Sequence, residues 1–556
     1  MTVQEPLVEP ATLGSLDKTV QERNTQDTTG PTLSADRTAT PEEVIKETLA
    51  ESADAFENPY VFKNPIKRVA VIGAGPSGIS AGKAALENGL DVKVFERNHQ
   101  VGGVWAYSED VQPVQIPCDT DFYAQQKLPE PPTEQKQESI QELTPELKDW
   151  INGVHAPPTA CYKNLFNNTA TAIMRFEEHP WPEGTPWYVS HTRVQQYISG
   201  YAQKYGLDKH IHLNTSVNRV EKARDGSGRW ELSLTEVRKL PENKVQVKRW
   251  TETFDAVCVA SGQHQTPFVP DFPQLKEFKQ KYPDRAIHAK QFRHYEDFKG
   301  KNILLIGGNV SAIDVARHLD GICDRIYMSL RNPFDTPSGI LNLFRTTAPE
   351  SLIHKPNVAS FSADGTVDGR VTFVDGSVLD DIDVVVFCTG YITNFPFFGE
   401  QRSFESENKE DSLFVTNGKC VLDTYRDIFL ARDPTLAFVG APSHLINVDT
   451  FFYQGQTVGR VWAGLARLPN EEHMLAQIKA RVLPFPWYDL NFRASQLNGL
   501  TLITWLNHHA ELLGVNKKPL QGVSSELVDL YPTVESRWKA TSLAMLKELK
   551  ATGHLN

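Results

Sequence analysis

The sequence predicts an α/β fold with two βαβ units, the second inserted into a discontinuous first, and three observations carry the prediction. A short β-branched run, Arg68–Ile72, leads straight into Gly73-Ala74-Gly75-Pro76-Ser77-Gly78 and a helical stretch, and a second strand, Asp91–Glu96, follows. A second such run, Asn302–Ile306, leads into Gly307-Gly308-Asn309, a helix from Ser311 and the strand Arg325–Leu330. A further apolar strand, Asp383–Cys388, then ends at Gly390, leaving enough chain to return to the first unit. Runs that are apolar without alternation fit strands buried on both faces.

Taken in order, residues 1–61 read as a disordered acidic tail. Residues 1–60 hold 12 Asp plus Glu against 4 Lys plus Arg, a local net of -8 within the chain's -12. Their few large apolar residues cannot offset the entropy of ordering. Thr40 with Glu43 has the capping-box pattern, which allows a helix over 41–50 with no strong apolar face. Residues 62–268 are the first part of the larger domain, interrupted at about 107–160 by a Pro-, Gln- and Glu-rich surface insertion with one helix near 145–151. An amphipathic helix is expected from Ser190 to Leu207, then strands around His212 to Leu234 and a buried strand ending at Ala260-Ser261-Gly262. Residues 269–392 form the inserted domain, with hairpins between Val358 and Val378 turning at Asp364-Gly365 and Asp375-Gly376. Residues 393–535 return to the larger domain, and 536–556 form a helical extension.

The glycine turns have a physical use. In G-x-G-x-x-G the first glycine makes the turn, the second lets backbone approach a pyrophosphate, and the third lets helix and strand pack closely, with the helix N-terminus aimed at the phosphates. Gly73, Gly75 and Gly78 fit these roles, with Pro76 and Ser77 opening the helix. Glu96 stands 23 positions after Gly73, where a carboxylate accepts from ribose hydroxyls. The units are therefore read as Rossmann-like dinucleotide-binding domains. In the second turn Asn309 replaces the second glycine and Ala312 the third; Asn tolerates left-handed backbone and Ala adds only a methyl group. Arg331 stands 24 positions after Gly307 in place of an acid, and a guanidinium suits a 2′-phosphate. This favours NADPH for the second domain; the competing reading is a surface arginine after a strand. Gly102-Gly103-Val104-Trp105, soon after Glu96, would let backbone pass close to a flat ring with Trp105 as a wall, which points to a flavin on the first.

Other classes are excluded. No apolar run is long enough for a transmembrane helix, and Met1 is followed by acidic, Thr-rich sequence instead of a signal peptide. Six scattered cysteines without a CxxC pair argue against a disulfide framework, a zinc site and a flavin disulfide reductase, and suit a reduced, cytoplasmic setting. The negative charge disfavours nucleic acid, and no metal site is expected.

In this order the motifs resemble the flavin-containing monooxygenases, most closely the soluble fungal type. The resemblance spans roughly 66–470 and rests on the first glycine turn, Gly102–Trp105, Tyr162-Lys-Asn-Leu-Phe-Asn-Asn168 with Met174 and Phe176, and Ala260-Ser-Gly262. It continues through His288-Ala-Lys-Gln-Phe292, the Gly307 turn with Ser311, Phe387-Cys-Thr-Gly-Tyr391, Pro434–Gly440 and Gln456. It implies FAD and NADPH as cofactors, O2 and a small molecule as substrates, and transfer of one oxygen to a nucleophilic N or S atom through a flavin C4a-hydroperoxide. Asn168 matches the family's active-site asparagine; Gln456 closes the site beside the FAD. Baeyer–Villiger oxidation of a ketone is the alternative, disfavoured because Phe292-Arg293 stands where those relatives carry Trp then Pro or Asp. The replacements Asn309, Ala312 and Asp284 keep a turnover-deficient FAD- and NADP-binding protein as another. His288 is read as a hydrogen-bonding support, Gly262 and Gly390 as interdomain crossings and hinges, and a homodimer as the assembly to test.

Overall fold

The structure is a computed structural model that describes residues 40–125, 137–331, 339–362, 369–407, 411–442, 448–480, 492–522 and 525–552. Residues 1–39 of the expected tail, the Asp364-Gly365 turn, part of the insertion and the last four residues lie outside the described residues.

Strand β1, Arg68–Ile72, is buried along four of its five positions, as its apolar run dictates. It pairs in parallel with β2, Asp91–Phe95, on one side and with β3, Ala256–Val259, on the other. Between β1 and β2 runs helix α1, Pro76–Glu87, opened by Pro at its first turn and followed by Asn88 and Gly89. A second parallel sheet holds β4, Asn302–Ile306, between β5, Arg325–Ser329, and β6, Val384–Phe387. Helix α2, Val310–Leu319, connects β4 to β5. Ala286–His288 and Ile353–Lys355 complete this five-stranded sheet at its two edges. The chain then returns to the first sheet, where β7, Leu436–Phe438, joins β3 in parallel. That sheet has seven strands, ordered Thr424–Tyr425, Phe429–Leu430, β7, β3, β1, β2 and Ile211–His212. Two crossings join the sheets, and there Thr266–Pro267 pairs antiparallel with Tyr391–Ile392. Glycines at the approach to each crossing, Gly262 (φ 79°) and Gly390 (φ 88°), take backbone conformations that other residues rarely adopt.

Helix α3, Val448–Trp462, covers the first sheet by lying against α1. Two glycines one turn apart allow this: a Cβ on Gly455 would sit 2.7 Å from the Ser80 carbonyl carbon, and one on Gly459 2.6 Å from that of Ala84. The two helices run in the same direction, backbone against backbone.

Three expectations are corrected. The tail is not disordered up to residue 61. Pro41–Glu57 is a helix with the Thr40–Glu43 capping box in place, and it buries Val44, Thr48, Glu51, Ser52 and Ala55. The apolar face is thin because the contact is partly polar: Glu51 accepts from the Arg426 guanidinium at 2.6 Å and from the Tyr425 hydroxyl at 2.6 Å. The 107–160 segment is more than a surface insertion. Ile116, Cys118 and Tyr123 enter the core of the second sheet, and Leu147, Trp150 and Ile151 pack on Val237, Val245 and Val247. Glu138–Glu142 adds an edge strand to the hairpin Trp230–Leu240/Lys244–Phe254. Isolated apolar residues in polar, Pro-rich sequence are enough when each meets a prepared surface. Finally, no break falls at residue 536, since one helix runs from Ser525 to Thr552.

Candidate active site at the carboxyl ends of two parallel sheets

The first glycine turn leaves β1 at Gly73, whose φ of 105° favours glycine and where a Cβ would lie 2.5 Å from the Ala260 carbonyl oxygen. A Cβ on Gly78 would lie 1.8 Å from the Gly73 oxygen, so α1 starts in backbone contact with the strand end. Gly75 caps α1 without a side-chain acceptor, which leaves first-turn N–H groups such as that of Ser77 open to an anion. Over this turn lies the second glycine segment. A Cβ on Gly103 would be 2.8 Å from Gly75 Cα, and the Gly102 N–H donates to the Ala74 carbonyl at 3.1 Å. Gly103, Val104 and Trp105 form one 3₁₀ turn, half-buried beside the cradle. Glu96 is buried at the end of β2 and accepts from the N–H groups of Ala74 at 2.7 Å and Asn98 at 2.9 Å. Burial raises its carboxyl pKa, and the two donors pull the other way. It thereby ties the strand end to the glycine turn.

Gln456 does not reach this cradle. Its Nε2 donates to Glu87 Oε1 at 2.7 Å, at the far end of α1 from the glycine turn. Gln454, two residues earlier, lies by the cradle instead: its Oε1 accepts from the Gly440 N–H at 2.8 Å. Gly440 in turn lies against Ser77, since a Cβ on it would be 2.3 Å from Ser77 Oγ. The Gln454 Nε2 is buried with no partner. Gln263, beyond β3, donates to the Gly440 carbonyl at 2.9 Å, so the ends of β1, β3 and β7 converge here. No sequence signal distinguishes Gln454 from Gln456; the crossing of α3 over α1 does.

In the Tyr162–Asn168 segment, Asn167 is the structural member. Its Nδ2 donates to the carbonyls of Thr169 at 2.6 Å and Trp187 at 3.0 Å, and its Oδ1 accepts from the Val189 N–H at 2.5 Å. Asn168 is consequently exposed.

The second turn repeats the first. Gly307 has φ 116°, and a Cβ there would lie 2.5 Å from the Cys388 carbonyl oxygen, as Gly73 does against Ala260. Asn309 caps α2 in extended conformation, φ -92°, so the left-handed tolerance expected of it is not used. Ala312 is fully buried. Ser311 and Arg331 are both exposed, at the start of α2 and just past β5. Sequence reasoning missed Arg345, which is buried and whose Nε donates to the Gly308 carbonyl at 3.1 Å.

Polar contacts brace the crossings. His288 Nδ1 accepts from the Lys290 N–H at 3.0 Å, which leaves Nε2–H to donate to the Gly390 carbonyl at 3.0 Å. Burial pushes this imidazole down to about 3, so it is a neutral support and not a base near neutrality. Arg293 is held by backbone carbonyls of Asp110, Thr159, Lys290 and Phe292, which stitches the insertion to the crossing.

The residues fit two dinucleotides. Each parallel sheet ends in a glycine turn opening a helix, an acid follows the first and an arginine the second, and an orphaned amide lies beside the first cradle. The arrangement defines a two-dinucleotide oxidoreductase. Comparison with known proteins makes the class specific. The family model Flavin-binding monooxygenase-like matches residues 66–116, 147–340 and 349–519. The chain is 33% identical over 445 residues to flavin-containing monooxygenase ustF2 of Aspergillus flavus, covering 75% of this chain and 86% of that one. It is 28% identical over 475 residues to flavin-containing monooxygenase 5 of Rattus norvegicus, covering 74% and 76%. In structure it resembles the S-allyl-L-cysteine S-oxygenase of Allium sativum, with TM-score 0.59 and 20% identity, covering 87% of this chain and 98% of that one; this likeness shows the fold. The chain belongs to the flavin-containing monooxygenase family. It is an FAD- and NADPH-dependent monooxygenase, as that family is. Among the described residues, no helix is long and apolar enough to cross a membrane.

Proposed function

We propose that this protein transfers one oxygen atom of O2 to a nucleophilic nitrogen or sulfur of a small molecule, the other atom leaving as water. The observation that supports the reading is the loop in which Asn167 is locked into the fold and Asn168 is exposed, which leaves a neutral amide free to meet a substrate. A lone pair on N or S attacks an electrophilic oxygen without first losing a proton, so an amide that donates and accepts suffices. When bound, FAD reduced by NADPH supplies the oxygen activation. The chain's own residues do the rest. The Gly73–Gly78 turn and α1 would hold the FAD pyrophosphate, Glu96 its ribose, and Gly103–Trp105 with Gln454 its inner edge. The Gly307 turn and Ser311 would hold the NADPH pyrophosphate, and Arg331 its 2′-phosphate. In this reading the two cofactors would meet in a cleft between the first sheet, which both ends of the chain build, and the second, beside the crossings that His288 and Arg293 brace. The six free cysteines support a cytoplasmic setting.

The test is NADPH-dependent O2 uptake by the FAD-loaded protein with amines, sulfides and ketones supplied separately. Uptake coupled to amines or sulfides is expected. Ketone-only turnover would replace this reading by the Baeyer–Villiger one, and FAD and NADPH binding without turnover would favour the turnover-deficient one. Asn168→Ala should lower coupled turnover, and Arg331→Ala should raise the KM for NADPH about tenfold or more, the worth of charge-assisted hydrogen bonds. Unchanged NADPH oxidation in both variants would contradict these assignments.

A further inference from the structure

Where α2, the Phe166 loop and the C-terminal helix meet, buried polar groups are left without partners. Arg317, on the third turn of α2, has a side chain only 3% exposed. Its Nη1 lies 3.5 Å from Asp314 Oδ1, and the other Asp314 oxygen accepts the Tyr162 hydroxyl. Its Nε and Nη2 have no hydrogen-bond partner. The guanidinium carbon stands 5.5 Å from the ring centres of both Phe166 and Trp538. The Trp538 indole N–H and the Tyr188 hydroxyl are also buried and unpartnered, and their rings are 5.0 Å apart. His318 Nε2 is a further orphan, but Nδ1 of that ring lies 2.9 Å from the Asp314 carbonyl and so carries the proton, which makes Nε2 an acceptor.

Leaving a guanidinium buried with two N–H groups unmet is expensive, and so is leaving an indole N–H unmet beside it. The free Nε–Nη2 edge is the side of arginine that grips a carboxylate with two parallel hydrogen bonds. We propose that this junction is a subsite for the carboxylate of the substrate, held by the Arg317 fork with the Trp538 N–H and Tyr188 hydroxyl as supporting donors. The proposal rests on the N- or S-oxygenation reading and narrows its substrate class to amines or sulfides that carry a carboxylate. Position supports it. Phe166 precedes Asn168 by two residues, at most about 7 Å of chain, so an acid anchored here keeps a nitrogen or sulfur a few bonds away within reach of the Asn168 loop. The Asp314–Arg317 pair is neutral by itself, so the subsite gains one negative charge, on the ligand, beside the arginine.

The test is calorimetric binding of two acid–ester pairs to the FAD-loaded protein: 3-(methylthio)propanoate and (benzylthio)acetate, each against its methyl ester. The expected result is that at least one acid binds about tenfold or more tightly than its ester, and that Arg317→Gln brings this ratio near one. Trp538→Phe, which removes the indole N–H along with one ring of the side chain, should reduce the ratio, and it serves if Arg317→Gln fails to fold. Equal binding of acid and ester, no binding of either pair, or a weakened NADPH affinity in Arg317→Gln with the ratio intact would overturn the proposal. Because calorimetry needs no turnover, the two ideas fail separately. Acid preference without sulfide or amine oxidation would defeat the oxygenation reading and leave the subsite. Sulfide or amine oxidation without acid preference would do the reverse.

Discussion

Replacing Gln454 and Gln456 one at a time by Met separates the cofactor cradle from the packing behind it. The two side chains are two residues apart on one helix, both buried, and each makes a single direct hydrogen bond. Losing Gln454 strips the acceptor from the Gly440 N–H, a buried backbone donor that lies against Ser77. A buried donor left unmet costs about 1–3 kcal/mol. If that cost falls on the FAD-competent arrangement of the Gly440 loop, the FAD Kd should rise about 5- to 150-fold. The loss of the orphaned Nε2 adds to this where that amide would meet the cofactor. Losing Gln456 removes a bond to Glu87, which is partly exposed and still paired with Lys83 at 2.6 Å. The expected effect there is a fall in thermal stability of about 1 kcal/mol, with FAD affinity within twofold of the parent. Titration of the apoprotein with FAD by flavin fluorescence, beside thermal unfolding of each variant, measures both. Loss of FAD affinity in the Gln456 variant, with the Gln454 variant unaffected, would refute the placement of α3 over α1.

Acid should destabilise the protein through its buried imidazoles. Burial pushes His288 and His155 down to about 3 and His509 down to about 4. An unfolded histidine titrates near 6.5, so between these values the unfolded chain binds more protons, and stability is lost as pH falls below 6.5; each contributes about 2 kcal/mol by pH 5. Asp449, raised to about 6 by burial, acts in the opposite sense with about 1.4 kcal/mol over the same interval, and Glu96 shares its direction. The histidines win, so Tm should fall by several degrees from pH 7.5 to pH 5, and His288→Gln should make that fall shallower; a flat profile would contradict the burial. The N-terminal helix gives a further prediction. Glu51→Ala leaves the Arg426 charge buried, with side-chain exposures of 5% and 6% in the intact pair, and should cost about 3–5 kcal/mol in unfolding experiments. Exposed Glu42→Ala on the same helix should cost under about 0.5 kcal/mol, and equal effects would mean that the helix is not anchored through Glu51.

What the sequence made legible was local, and what it hid was set by contacts between distant segments. The Gly73 and Gly307 turns were readable because the reason for each glycine lies within a few residues: a strand end, a left-handed bend and a helix start. The position of Arg331 just past β5 was readable for the same reason, as the first residues after a strand fall at a predictable place in the chain. Gln454 and Gln456 could not be told apart, because a residue's face on α3 depends on how that helix crosses α1. The crossing is fixed by Gly455 and Gly459 meeting Ser80 and Ala84 from a segment almost four hundred residues earlier. Glu51 looked like one more charge in an acidic tail, and only the fold shows that Arg426 and Tyr425 receive it, while Ser52 beside it meets His509. The same limit explains Arg317. On α2 it reads as an ordinary charge in the last turn of a helix, and its two open N–H groups become visible only once Phe166 and Trp538 close over it. Both dinucleotide cradles repeat a local pattern, and so are written in motifs. The substrate end is assembled from a loop, a helix of the other sheet and a C-terminal helix, so specificity here is a property of the assembly, and motif resemblance leaves the substrate open for that reason.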